Sequence, residues 1–174
     1  MEAGKHLGKL REFSTQLAER IKAAPQRPTE PMRLAVRIGS AHYLLDMPSA
    51  GEIVPVPDIA PVPWTQPWYR GLANVRGRLV GVVDLMQMAG RTPMPSDSSQ
   101  QLLVLSDAMK VNVALLITRA FGLRNIKDLE SLGTAASDVQ PWEAERYRDL
   151  DGTVMTELKL ARLVTSETFA AIGV

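Results

Sequence analysis

Acid–base and nucleophilic sites are built from histidine, cysteine, serine and paired carboxylates, and this chain holds few of them at a usable spacing. It has two histidines, His6 and His42, and no cysteine. A cysteine nucleophile, a disulfide and a thiolate zinc site are therefore excluded, and two distant histidines among scattered carboxylates match no metal-ligand spacing. No G-x-S-x-G elbow is present, and neither histidine has an evident partner. Gly71, Gly77 and Gly81 do not spell a phosphate loop: no Gly-Lys-Ser/Thr follows, and they precede a strand pattern rather than a helix. The carboxylate pairs Asp149 with Asp151 and Asp128 with Glu130 have no matching pair elsewhere, and the first suits turn chemistry. Asp84 reads as a helix N-cap. The expectation is a protein without catalysis, cofactor or metal.

The chemistry that does fit is recognition. From Trp68 to Leu85 the chain reads W-Y-R-G-L-A-N-V-R-G-R-L-V-G-V-V-D-L, and Trp64 lies just upstream. Trp64, Trp68 and Tyr69 thus stand close to Arg70, Arg76 and Arg78. Trp, Tyr and Arg are the residue types enriched at protein-interface hot spots. The same types line small barrels that bind single-stranded nucleic acid. Against that reading, Glu52, Asp58 and Asp84 share the region, and the formal net charge is only +1. On local physics alone, the tryptophans serve equally well as core and as docking aromatics.

These residues need a scaffold, and the chain punctuates itself into short strands. Leu34, Val36 and Ile38 alternate with Arg33, Ala35 and Arg37, a half-buried strand. Gly39-Ser40 makes a two-residue turn, and His42–Met47 returns, with His42 at the strand surface. Gly51–Val54 forms another short strand. Six prolines between Pro48 and Pro67 then rule out a central strand. The expectation there is an ordered loop packed through Ile59, Val62 and Trp64. Trp68–Val75 reads as a helical turn and Arg78–Leu85 as a buried strand.

Gly90–Gln100 reads as loop, Gln101–Ser106 and Val111–Thr118 as strands joined by D-A-M-K, and Ala120–Ile126 as one more. Residues 127–139 are polar and poorly patterned, which suggests a loop with a turn of helix. Glu145–Leu150 and Thr153–Leu158 flank Asp151-Gly152, the sequence of a type I′ hairpin. Leu160, Leu163 and Val164 suggest a closing helix, followed by an apolar tail through Phe169 and Ile172. Eight to ten short strands at close intervals indicate an all-β barrel or sandwich.

Upstream, Leu10, Phe13, Leu17 and Ile21 share one face of a helix over residues 1–24. Pro25, Pro28 and Pro31 end it, so 1–31 reads as a helical extension with a proline-rich linker, and 32–174 as the domain. A chain of 174 residues fits one domain of the usual ~100–150 residues plus this extension. No apolar run approaches the ~20 residues of a membrane helix. With no cysteine, the expectation is a soluble cytoplasmic protein that neither inserts into a membrane nor binds nucleic acid.

G-L-A-N-V-R-G-R-L-V-G-V-V-D-L resembles the signature of the CheW-like domain, usually G-x-x-N-L-R-G-x-x-x-P-x-x-D-L. The upstream G-E-I-V-P-V-P-D-I-A-P-V-P and the downstream V-A-L-L-I-T-R-A-F-G-L-R are similar to that family too, so the resemblance covers about residues 32–174. Within the family, the W-Y-R-G-L-A-N-V-R-G-R-L wording and the N-terminal extension are most similar to the adaptor of the type IV pilus (twitching motility) chemosensory system. The resemblance implies a mainly β fold of two intertwined five-stranded, SH3-like barrels and a scaffold without catalysis. The implied partners are the cytoplasmic tip of a methyl-accepting chemoreceptor, the regulatory domain of a CheA-type histidine kinase, and other CheW-like domains. It implies two-component signal transduction at membrane receptor arrays, through the pilus system or through a flagellar or other chemotaxis pathway.

Carried over by position, Arg76 matches the arginine associated with receptor contact and Glu52 the acidic residue near the receptor groove. Asn74 and Gly77 match positions that shape the turn, and Val75, Leu79 and Val80 would line the apolar junction beside it. The chain departs from the family at Gly81, where proline is frequent, and at Ala114 and Thr118, which replace the usual Gly and Asp.

Overall fold

The computed structural model describes residues 32–95, 97, 99–134 and 139–174. The helix and linker expected over 1–31 lie outside the described residues. Among those described, twelve strands form two six-stranded sheets. The first has the order β10-β11-β12-β2-β1-β9 and the second β3-β7-β8-β6-β5-β4. Their ranges are β1 Met32–Ile38, β2 Ala41–Asp46, β3 Ala50–Pro55, β4 Ile59–Ala60, β5 Tyr69–Val75, β6 Arg78–Val83, β7 Gln101–Leu105, β8 Val113–Ile117, β9 Arg119–Asn125, β10 Glu130–Thr134, β11 Glu143–Arg148 and β12 Val154–Leu158.

The sheets are nested in sequence. After β2 the chain leaves the first sheet, builds the whole second sheet from β3 to β8, and returns through β9. The mainly β, two-part architecture matches the expectation. The edge strands β4 and β10 bring each sheet to six strands, against the implied five.

β1 shows how the pattern becomes packing. Leu34, Val36 and Ile38 face the main core, which runs between the sheets and includes Val80, Val82, Leu103, Leu115, Ile117, Trp142 and Leu158. Ala35 is buried as well, because the other face of the first sheet carries a second cluster with Leu44, Tyr147 and Met155. A strand covered on both faces loses the polar half of its alternation. The β1–β2 turn is the predicted one: Ile38 pairs with Ala41 across Gly39-Ser40, and Gly39 has φ +60°.

Four local expectations change. Trp68–Val75 is not a helical turn but leads into β5, in which Gly71, Ala73 and Val75 point inward at every second residue. Gly71 has φ +129°, and a side chain there would strike the Ala60 carbonyl of the neighbouring strand. Residues 127–139 include β10, an edge strand with the sequence E-S-L-G-T.

The β11–β12 hairpin uses Asp151-Gly152 differently from the predicted type I′ turn. Arg148 pairs with Val154, Gly152 N–H donates to the Asp149 carbonyl at 3.0 Å, and only Gly152 has positive φ. This is a three-residue loop with glycine at its bulge position. Asp149 selects it, because its Oδ1 accepts from the N–H groups of Asp151 at 3.0 Å and Thr153 at 2.8 Å. In the proline segment Ile59 and Val62 are half-buried, whereas Trp64 is 82% exposed and does not pack the loop.

The C-terminal helices Leu160–Val164 and Glu167–Ala170 close the second sheet's side of the core. Leu160 and Leu163 are fully buried, and Phe169 stacks on Trp68 with ring centroids 6.4 Å apart.

Candidate protein-docking site

β5 and β6 are joined by a two-residue turn, Arg76-Gly77, across which Val75 pairs with Arg78. Both turn residues have positive φ, +49° and +85°, which defines a type I′ hairpin. Asn74 supports it by accepting the Gly77 N–H on Oδ1 at 2.8 Å. The motif N-V-R-G is thus a turn with a built-in brace. Arginine is a poor choice for its first position, because a left-handed conformation costs a residue with a Cβ about 1 kcal/mol. Asn or Gly would be better there. What the arginine gains is projection: its side chain is 79% exposed.

The side chain reaches Glu52 on β3, Nη1 lying 3.0 Å from Oε2. That oxygen is shielded from water yet accepts no aligned hydrogen bond. The contact is therefore an ion pair open to exchange, of a kind worth about 0–1 kcal/mol at a surface. Beside it Arg78 bridges to Asp107 at 2.8 Å and to Asn112 Oδ1 at 3.0 Å. These charges rim a shallow recess of about 420 Å³, with Gly51, Val104 and Leu105 in its lining.

The structure thus brings Glu52, Asn74, Arg76 and Gly77 to one surface. Leu79, 61% exposed, stands on β6 opposite Asn74. It does not bring out Val75 and Val80, whose side chains are core: the alternation of β5 and β6 turns them inward. Their assignment to an apolar junction is corrected to support from beneath. Trp68, 6% exposed and stacked on Phe169, is likewise core rather than an interface aromatic.

Tyr69 is half-buried, and burial raises its hydroxyl pKa. Its ring and hydroxyl lie over Gly81, where an added Cβ would meet the hydroxyl oxygen at 2.7 Å. Gly81 also donates its N–H to the Asn112 carbonyl at 2.9 Å. Proline at 81 would collide with the tyrosine and lose that donor, so glycine here is a requirement of this hairpin. Of the three candidate aromatics, Trp64 is the exposed one. Its φ is +59°, and its carbonyl is held by the Val174 N–H at 3.0 Å.

Asp84 is the predicted N-cap: its Oδ1 accepts from Gln87 N–H at 3.1 Å and starts the helix Leu85–Met88. Its Oδ2 accepts from Met94 N–H at 2.9 Å and lies 3.7 Å from Arg70. The carboxylate is fully buried and ties the loop after the helix to β5. Of the other carboxylates considered as catalytic, Asp149 braces its loop and Glu130 pairs with Arg148 at 3.2 Å.

One charged site had no signal in sequence. Arg91 grips Glu143 through two bonds, Nη1 to Oε1 at 2.7 Å and Nη2 to Oε2 at 3.0 Å. The buried Tyr43 hydroxyl donates to Glu143 Oε1 at 2.9 Å, and the Gln140 N–H donates to Oε2 at 3.2 Å. Burial alone would push the Glu143 carboxyl up, but these donors outweigh it and hold the pKa below the usual glutamate range. Burial, and then the neighbouring Glu143 charge, push the Tyr43 hydroxyl well above the ordinary tyrosine range. Burial and Glu145 likewise push Tyr147 up to about 12.

Two sheets and a braced N-V-R-G turn facing an acidic residue are features that comparison with other proteins can weigh. The CheW-like domain matches residues 33–168, most of the chain. The chain belongs to the CheW-like family. It is 27% identical to the protein PilI of Pseudomonas aeruginosa over 111 residues, 64% of this chain and 60% of PilI. It therefore spans less than two thirds of that relative. It is 22% identical to the chemotaxis protein CheW of Thermotoga maritima over 135 residues, 78% of this chain and 88% of that one. The solved structure of the scaffolding protein TtCheW from Thermoanaerobacter tengcongensis superposes with a TM-score of 0.65 at 15% identity, covering 80% of this chain and 96% of that one. At that identity the likeness concerns the CheW-like fold alone.

Proposed function

We propose that this chain is a non-catalytic adaptor that couples the cytoplasmic tip of a methyl-accepting chemoreceptor to the regulatory domain of a CheA-type histidine kinase. The observation that carries the reading is the Arg76–Glu52 pair at 3.0 Å, presented on a type I′ turn whose first residue is an arginine. A strained, exposed arginine beside a weak ion pair can re-pair with a partner at little cost, which suits a reversible contact. Glu52, Asn74, Gly77 and Leu79 complete the proposed receptor-facing surface, with Val75 and Val80 beneath. Tyr69, at the end of β5 away from the turn, and Trp64 are further aromatics available to a partner.

The pathway proposed is the type IV pilus system of twitching motility, on the strength of the match to PilI. The match to CheW of T. maritima extends over more of the chain, 78% against 64%, and favours coupling in another chemotaxis pathway as the second reading. The adaptor would work in the cytoplasm beside receptor arrays. Among the described residues no helix is long and apolar enough to cross a membrane.

The test is binding of the purified chain to the receptor tip and to the kinase regulatory domain encoded nearby in the genome. Binding to both, with the receptor arm lost in Arg76→Glu, is the expected result. A folded chain that binds neither sinks the coupling reading. Binding only to partners from a flagellar gene cluster replaces the pilus assignment with the second reading.

A further inference from the structure

Across four strands of the first sheet, Met155, His42, Arg37 and Arg119 lie in one cross-strand row. Arg37 and Arg119 are direct neighbours in it. Like charges placed opposite each other in a sheet are destabilising unless something neutralises them. Here no carboxylate of the described residues pairs with either arginine. The acidic groups on that side, Asp149 and Asp151, line a separate recess with His42, Phe121 and Arg124. Asp149 is already engaged by its own loop, and Glu157 by Arg33 and Lys159.

The two arginines open instead into a recess of about 370 Å³, lined also by Ser99, Gln101, Thr118 and Ala120. All its polar side chains can donate and none carries a negative charge. Arg37 Nε is shielded from water and has no hydrogen-bond partner among the described residues. A buried guanidinium N–H without an acceptor costs free energy that a bound anion would recover.

We infer that this recess binds a side-chain carboxylate from an acidic, apolar-flanked segment of a partner protein. Guanidinium groups pair with carboxylates through charge-assisted bonds, which fits two arginines with a free Nε. The protein source is favoured over a free anion by what continues from Arg119. Phe121 on the edge strand β9 is 38% exposed, on the face that carries Arg119 and His42, whereas Leu123 stands opposite Leu34 on the other face. Arg119 lies 6.0 Å from the Phe121 ring centre, so the charged recess adjoins an exposed aromatic that an apolar neighbour of the carboxylate can cover. β9 carries a bulge opposite Ala35/Val36, with Gly122 at φ +85°. That bulge twists the edge away from flat pairing, so the partner is held by side chains and not as an added strand. This surface is distinct from the Arg76 turn and the inference stands whether or not that turn docks a receptor.

The experiment is fluorescence anisotropy of a labelled peptide of alternating Glu and Leu with the full chain, beside a Gln/Leu peptide and inorganic phosphate as competitor. The Glu/Leu peptide is expected to bind and to weaken with salt. Arg37→Gln and Arg119→Gln should each reduce its affinity about tenfold or more. Thr118→Asp, which supplies an internal carboxylate to the recess, should do the same, and Arg162→Gln on the C-terminal helix should change nothing. Thermal melts should show Arg119→Gln at or above the wild-type midpoint, since a like-charge contact is relieved. Equal binding of the Gln/Leu peptide, or wild-type affinity in both arginine variants, overturns the inference. Phosphate binding without peptide binding overturns the partner assignment and leaves an oxyanion site. A melting midpoint lowered in Arg119→Gln with unchanged peptide affinity makes the arginine structural and also overturns it.

Discussion

Two arginine–glutamate pairs in this molecule use the same chemistry to opposite ends. Arg91 and Glu143 meet through two aligned bonds, with Tyr43 and Gln140 satisfying the remaining lone pairs, and Glu143 is 94% withdrawn from solvent at its side chain (6% exposed). Arg76 and Glu52 meet at a single 3.0 Å approach without hydrogen-bond alignment, on a turn open to water. The first pair cannot release its partner without leaving a charge in the interior. The second loses little on release, because no aligned hydrogen bond is broken and the Arg76 side chain is already 79% exposed. Surroundings, not residue type, separate a clamp from a contact site.

The sharpest way to break that contrast is Glu143→Ala. It leaves the Arg91 guanidinium and the Tyr43 hydroxyl without their acceptor and should cost about 3 kcal/mol, the low end for a broken buried pair because Arg91 keeps some contact with water. Urea unfolding measures it. A loss below about 1 kcal/mol would put this pair in the surface class and erase the distinction.

Next in size is Arg76→Glu. Receptor-tip affinity should fall at least about thirtyfold if Arg76 is a hot spot of about 2 kcal/mol, while the urea midpoint moves little. Titration calorimetry and unfolding on the same preparation read the two quantities. A large stability loss would assign Arg76 to structure.

Acid should test the buried pair, since its donors hold Glu143 below the usual glutamate range. A carboxyl whose folded pKa lies below its unfolded value of ~4.3 contributes stability in full above that value. The contribution is lost as pH falls through the lowered folded pKa. Melting curves from neutral pH downward should therefore decline more for the wild type than for Glu143→Gln, which removes the titration. Parallel curves would mean that Glu143 is not held low.

The smallest expected effect is Arg76→Gly. Relief of the left-handed strain, less the added chain entropy of glycine, should leave stability unchanged or raise it by about 0.5 kcal/mol. Receptor binding should still weaken. A destabilised Arg76→Gly would show that the ion pair with Glu52 outweighs the strain.

Much of the fold was legible because the apolar residues themselves mark the strands, recurring at every second position in β1 and running on without a break through the buried end of β6. It failed where that signal fades. β5 buries Gly71, Ala73 and Val75, two of them too small to register as an apolar stripe. β10 is mostly exposed and so carries no alternation at all. The Asp151-Gly152 loop was misread because the deciding atom belongs to Asp149, outside the dipeptide.

Within the candidate site, Arg76 and Glu52 were named through the resemblance and stand 3.0 Å apart. Val75, Val80 and Trp68 were drawn into the same surface because sequence proximity hides which way a strand residue points. The Arg91–Glu143 clamp joins two segments on opposite sides of β7–β10, and no local pattern marks such a pair. The sequence shows only Arg91 in one loop and Glu143 just after Pro141-Trp142, a combination too common to single out.

The nesting of the sheets sets an order of events during synthesis. β3 to β8 form an uninterrupted stretch whose strands pair through short and moderate loops, so the second sheet can close while the ribosome is still adding residues. β2 must wait for β12, its parallel neighbour through Met155 and His42, and β1 must wait for β9. Until then the β1–β2 hairpin exposes Leu34, Val36 and Leu45 and both of its edges. Long-range pairing of this kind slows folding and lengthens the time for which a sticky hairpin is unprotected.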